Sequence, residues 1–571
     1  MNTLGFYDID ETTGFLPPTP PIGRLSAPEY EPWEMLVDQM RGLLLVDRFR
    51  TQANRLAEIS TSHLGTDVRE WRRAAVVLSM IASAYVWGRH QTPGPAATAS
   101  GMAGAELFPT ADAAEYDPER PVSRILPRSI AVPLAACAVR LGIRPIICYA
   151  TTTLWNYGML DPAGPMATNN LFCRNTSSGT MDEAWFYLIP LFIELEGAPG
   201  LHLMSQAWTA TQANDSTSLE SHLKSMVPCV KGMTKMMRAM HARCDPYVFY
   251  HQVRPYVAGW ALVDGGVRYE GIEPTKIPPT WFAAHGAPGH YHELAKNGEL
   301  PSDPTFFFAG GSAGQSSIVQ AYDIFLGITH HPTGYGPGSK AQGGPKTNFI
   351  KEMREYMPAK HRQFLVDAET LAPSVREYVS SHSAQSPKLL AAYNAVVAAV
   401  KEFRDVHLQV VARFIVMQAK KSPSAATPPG STATVAAAAA TNGSVAPAAA
   451  ATAPATNGAT KRPRSELDMS VVPEMPPAKR ANTGGDVVHV GNGNGTNGAA
   501  AHVDGAPPGG FILSNGKRSI SPATAGLTRS MLTELNHGAT DPADGGVRGT
   551  GGTQLMPFLK QARDETDLTR L

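Results

Sequence analysis

Net charge, cysteine and long apolar runs are all scarce in this sequence. Lys and Arg number 49, as do Asp and Glu, so there is no overall field to draw in nucleic acid or an anionic membrane. Charged residues make up 17% of the 571, below the roughly 25% of ordinary globular chains. The five cysteines (Cys137, Cys148, Cys173, Cys229 and Cys244) are odd in number and include no CxxC pair. They signal neither a disulfide framework nor a zinc site, and predict buried free thiols in a reducing compartment. No apolar run reaches the roughly 18 residues needed to span a bilayer. The opening MNTLGFYDIDETTGF carries acids and no apolar core, unlike a secretory leader. The expectation is a cytoplasmic protein with no membrane or nucleic acid among its partners.

What is present is mostly helical patterning. Residues 1–35 read as an extended lead-in with several prolines, and helical periodicity starts near Trp33. Trp71–Gly88 (WRRAAVVLSMIASAYVWG) has the length and apolar density of a buried helix that stops at Gly88. Residues 89–122 are rich in Gly, Ala and Pro and read as a surface loop. Ala131–Leu141 fits a helix, and residues 145–150 (PIICYA) fit a short strand. From Asp182 to about Lys421 helices dominate, including Trp185–Ala198, His222–Cys244 and Ser316–Ile328. Residues 264–304 interrupt them as a polar insertion bearing Pro and Gly.

Residues 422–547 change in character to Ala, Thr, Pro, Gly, Asn and Ser. Such a segment buries too little surface to offset its ordering entropy and is predicted to be a disordered linker. Its basic clusters, KRPR at Lys461–Arg464 and AKR ending in Lys479–Arg480, read as solvated charge, with nuclear import as the alternative. Order is expected to resume at Gly549–Arg563, a Gly-rich turn leading into an amphipathic stretch. The body should therefore hold a place for this distant segment.

Among residues that carry chemistry, His407 stands out. It sits in a helical pattern with Phe403, Val410 and Phe414, and so lies within the apolar stripe. A buried neutral imidazole needs a partner for its acceptor nitrogen. Haem iron would supply one and leave a sixth position for oxygen. Taken alone, a core histidine bonded to a neighbour is the commoner explanation of such a position. Arg404 lies one turn earlier on nearly the same face, placed for a haem propionate or for an ordinary ion pair. GGSAGQSS (Gly310–Ser317) leads into a helix; its exposed N–H groups and Ser312 are candidate donors to an oxygen atom, or the segment is a tight turn. No Lys-Ser/Thr follows the glycines, so it is not a phosphate loop. His290, His292, His330 and His331 lie in polar segments with no carboxylate at a recognisable metal-site spacing.

In chain order, AYVWG (Ala84–Gly88), LPRSIAVPL, YHQVRPYVAGW (Tyr250–Trp260), GGSAGQSSIVQAYDIFLGI, FIKEMREYMPAKHRQFL, PSVREYV, the His407 helix and GTGGTQLMPFLK together resemble the indoleamine 2,3-dioxygenase family. The match covers most of residues 30–420 and 548–563; the two insertions and the linker are departures.

The resemblance implies a mainly α fold with a small mixed α/β domain (1–180) and a large all-helical domain (181–421), joined by the C-terminal loop and helix (548–571). It implies one haem b, with His407 as proximal ligand, Arg404 on a propionate and Asp323 near the proximal side. The substrates implied are L-tryptophan and O2, giving N-formylkynurenine for kynurenine and NAD synthesis, with an electron donor that keeps the iron ferrous. Alternatives are an oxygen-binding haem protein without turnover, or an enzyme for another indoleamine. Arg254 matches the arginine that grips the substrate carboxylate, and Pro255 after it predicts a helix break there. Phe249, Tyr250, Phe186 and Tyr149 match aromatics around the indole, though core packing also accounts for such rings. Ser312 and Ala313 match the wall above the haem, and Thr550 a mobile loop that closes over substrate. Pro190 stands where the family has a distal serine, which removes any mechanism with that hydroxyl as base. A monomer is expected.

Overall fold

The computed structural model describes residues 2–88, 122–283, 297, 302–333, 348–421, 547–550 and 554–571. The expected loop at 89–122 apart from Val122, His290, His292, the linker at 422–547 apart from Val547, and its basic clusters lie outside them. The described residues all fall in the first unit of the chain, Met1–Ala426 with Ile520–Leu571.

The first unit is mainly helical. Helix α1 (Val68–Trp87) begins at Asp67, whose carboxylate accepts from the Arg69 N–H, and is buried from Arg72 to its end. Each fully buried Val, Leu or Ile there contributes about 1.5–3 kcal/mol relative to exposure. It ends at Gly88, where a Cβ would lie 2.2 Å from the Ala84 carbonyl oxygen. Strand β1 (Ile125–Leu126) precedes α2 (Arg128–Leu141), which packs on α1. Strands β2 (Tyr157–Met159) and β3 (Leu171–Cys173) pair antiparallel. Helices α3 (Met181–Gln212) and α4 (Ser216–Arg238) then pack along each other.

Two expectations need correction, and the insertion at 264–304, to which the sequence assigned no element, gains a structure. Residues 145–150 form no strand: Tyr149 starts a π-helical turn at Ala150–Leu154, where Thr151 and Thr152 hydroxyls donate to the Cys148 carbonyl. The lead-in is not simply extended; Tyr7, Ile9, Phe15 and Leu16 are buried in the core, and the Tyr7 hydroxyl donates to Asp367 at 2.6 Å. The insertion after residue 264 supplies β4 (Val267–Tyr269), parallel to β1 and antiparallel to β5 (Thr305–Phe306), and buries Trp281 and Phe282. Its aromatic residues, hidden among polar ones, carry that packing.

Four further helices follow: α5 (Ser317–Phe325), which packs on α3, α6 (Ala359–Glu369), which packs on α5, α7 (Pro387–Val411) and α8 (Leu555–Asp567). Gly197 and Gly200 let α3 approach α5; a Cβ at Gly200 would lie 2.0 Å from the Tyr322 hydroxyl. Helix α7 packs on α4 and, from its other side, receives α8. The segment beyond the linker therefore does return to the body. No helix among the described residues is long and apolar enough to cross a membrane. Cys137, Cys148 and Cys244 are buried free thiols; Cys173 and Cys229 are only half-buried.

Candidate active site

One cavity collects most of the predicted residues. Along α7 its wall is Phe403, Arg404, His407, Val410 and Val411, continued by Phe414 and Ile415 on a π-helical turn at Ala412–Val416. The apolar stripe read from the sequence is this wall. Facing it are Phe186, Pro190 and Ile193 of α3, Tyr149, Thr152 and Thr153 of the first π turn, and Phe249, which opens a third at Phe249–Val253. Such turns hold an extra residue per turn and redirect side chains, and they are frequent at functional sites. Gly311, Ser312, Ala313, Thr550 and the α8 residues Leu555, Phe558 and Leu559 complete the lining.

His407 has no hydrogen-bond partner on its ring among the described residues, and the surface it exposes belongs to the cavity wall. Burial, reinforced by the nearby Arg404 charge, pushes its pKa down to about 4. The imidazole is neutral at physiological pH, with a lone pair free for a metal. A neutral histidine without a protein partner, an arginine one turn away and a largely apolar chamber suit a haem. His407, Arg404 and Asp323 are the residues that would hold it.

Arg404 directs Nη2 at both Asp323 oxygens, each at 2.7 Å, and donates through Nη1 to the Thr566 hydroxyl. Asp323 is buried, which rules out a helix-surface role. Burial alone would raise its pKa, but Arg404 and His330 outweigh that and lower it. The sequence had offered no carboxylate partner for His330. The fold supplies two, Asp323 at 3.0 Å and Glu565 at 2.8 Å, the latter 235 residues away.

The small-residue loop differs from the expectation of free donors. The Gly310 N–H donates to the Thr550 carbonyl, Gly311 N–H to the Val257 carbonyl, and Gly314 N–H to Ser312 Oγ. Thr550 Oγ1 donates to the Gly311 carbonyl at 2.6 Å, which docks the C-terminal segment on this loop. The Ser312 hydroxyl hydrogen remains to donate.

Arg254 and Tyr250 lie outside the cavity lining. Arg254 is 2% exposed, sits over the Tyr250 ring, and donates through Nη2 to the Arg548 carbonyl at 2.8 Å, two residues before Thr550. Its Nε has no partner. Its backbone is α-helical (φ −52, ψ −37) despite Pro255, contrary to the expected break. The chain instead changes there from the π turn to a 3-10 turn at Arg254–Val257, with Pro255 early in it where no N–H is needed.

One site residue was not singled out from the sequence. Glu194 is buried behind the wall, and its Oε1 accepts from the Tyr149 hydroxyl at 2.8 Å and the Ser316 hydroxyl at 2.9 Å. Burial pushes its pKa up to about 7. Two acids, Glu194 and Glu196, in the otherwise apolar run WFYLIPLFIELEG were the available signal.

A family model for indoleamine 2,3-dioxygenase matches residues 3–460 and 510–569. An indoleamine 2,3-dioxygenase of Saccharomyces cerevisiae is 30% identical, covering 75% of this chain and 83% of the relative. Indoleamine 2,3-dioxygenase 1 of Mus musculus is 30% identical over 73% and 86%. A 6-hydroxytryptophan 2,3-dioxygenase of Fusarium equiseti is 28% identical over 74% and 86%.

Proposed function

Because the chain belongs to the indoleamine 2,3-dioxygenase family, we propose that it opens the indole 2,3-double bond of L-tryptophan with O2 to give N-formylkynurenine. The product would feed kynurenine and NAD synthesis. The observation that carries this is the unpartnered, neutral imidazole of His407 facing an apolar cavity with Arg404 beside it. Bound haem supplies an oxygen-binding, redox-active metal that no side chain can replace.

The chain's own residues do the rest. His407 donates a lone pair. Arg404, oriented by Asp323, offers charge to a propionate. Phe186, Tyr149 and Phe249 give the indole flat apolar walls. Arg254, its Nε unpartnered and its Nη2 on the Arg548 carbonyl, is ready to grip a carboxylate if that segment shifts. Thr550 against Gly310 and Gly311 closes the chamber against water. At Pro190 the wall offers no hydroxyl, so no protein base acts from that position.

The test is an absorbance assay of the purified, haem-loaded chain with ascorbate, methylene blue and L-tryptophan, in air. N-formylkynurenine should accumulate. An intact Soret band with no product would favour oxygen binding without turnover. Turnover of 6-hydroxytryptophan alone would shift the substrate within the same class.

A further inference from the structure

Between Arg404 and the C-terminal helix lies a buried cluster of charges that the proposed chemistry leaves unused. The side chains of Asp323, His330 and Glu565 are 6%, 7% and 4% exposed. His330 Nε2 is 3.0 Å from Asp323 Oδ2, and Nδ1 is 2.8 Å from Glu565 Oε2. A neutral imidazole has one N–H and one lone pair. Between two carboxylates it would set that lone pair against an oxygen. The imidazolium has two N–H groups and satisfies both sides.

The charge count agrees. With His330 charged, Asp323 and Glu565 are balanced by Arg404 and His330. Without it, one buried negative charge is uncompensated. Burial opposes charging His330, but Asp323 and Glu565 outweigh burial and the repulsion of Arg404, 3.4 Å away, and raise its pKa. Among the described residues, His331, whose Nδ1 is 3.1 Å from Glu565 Oε1, is the remaining titratable group facing the cluster. Asn348, Gln561 and Thr566 contribute only neutral hydrogen bonds.

We propose that His330, as an imidazolium, is a positioning residue that latches α8 to the arginine facing the cavity. Through Asp323 it acts on Arg404. Through Glu565 it holds the helix that carries Leu555 and Phe558 into the cavity wall and follows Thr550 in sequence. Arg404 as haem partner rests on the proposed function; the latch does not require haem.

The sign is fixed by the contacts. Opening α8 frees His330 to return to an ordinary pKa of about 6.5, below its latched value. The latch is complete below that pH and weakens as pH rises through the latched pKa, by at most about tenfold in the opening constant per pH unit. Hydrogen exchange of Leu555–Asp567 in the purified full chain, as protection factors from pH 6 to 9, measures this.

Wild-type protection should fall several-fold with rising pH. His330→Gln should show lower protection at pH 6 and no slope, and His331→Gln should keep the slope. A flat wild-type profile overturns the latch even if His330→Gln does not fold. So does a wild-type slope in His330→Gln, or its loss in His331→Gln. Haem transfer to excess apomyoglobin, followed on loaded samples, should accelerate over the same pH window. Failure to load haem would sink the proposed function and leave the exchange result standing.

Discussion

His407 and His361 are both histidines held neutral by burial, with pKa values near 4 and 3. What separates them is what they face. His361 packs its ring on Phe15 inside the core, 4.8 Å between centroids, whereas His407 faces a chamber. The sequence showed the apolar stripe but not which face of it was a wall. Arg254 poses the reverse case: its role came from resemblance, and the structure sets it behind the wall on the Arg548 carbonyl. Arg254→Ala should keep haem and raise the tryptophan concentration for half-maximal rate by roughly 10–100-fold, the loss of a charge-assisted pair of about 1.5–3 kcal/mol. An unaltered rate curve would place the carboxylate elsewhere. Glu194 gives a pH signature. Its folded pKa of about 7 lies above the ordinary glutamate value of 4.5, so folding disfavours the ionised form and stability is lost as pH rises between them. Glu194→Gln should therefore raise thermal stability at pH 8, by about 1–3 kcal/mol, and change it little at pH 5. Equal effects at both pH values would contradict this.

At the scale of elements, helices with strong periodicity were legible, including α1 and α7, because burial on one stripe imposes its spacing. The short pieces were not. Residues 145–150 looked like a strand because buried apolar runs of that length lack a period; they lead instead into the π turn at Ala150–Leu154. Pairings such as β1 with β4, across 142 residues from Ile125 to Val267, leave no local trace. The glycine loop was legible as a close approach, but not its partner. A Cβ at Gly310 would lie 2.2 Å from the Val257 carbonyl oxygen and 2.6 Å from the Gly259 nitrogen, both backbone atoms. Gly310→Ala should destabilise the fold by about 1–3 kcal/mol, seen as a lower melting temperature. An unchanged melt would mean that the loop moves freely.

Across the whole molecule, the return of structure after residue 547 was readable because an amphipathic stretch reappears beyond a segment of small polar residues. Where it docks was not, since Glu565 and Asp405 meet partners on different elements. Arg563 reaches Asp405 at 3.1 Å, and the Leu571 carbonyl accepts from Asn394 at 3.0 Å. These contacts tie α8 and the residues after it to α7. Replacing residues 425–545 with a short Gly/Ser connector should leave folding and turnover within about twofold, since loop-closure entropy changes only slowly with length. Loss of the folded state would show that the linker contributes structure.

Haem binding and the proposed activity depend above all on the His407 imidazole. Recombinant chain made with ample porphyrin should show a Soret band, and His407→Ala should lose it while retaining helical circular dichroism. A folded His407→Ala variant with an unchanged Soret band would contradict the assignment, as would a colourless wild-type protein.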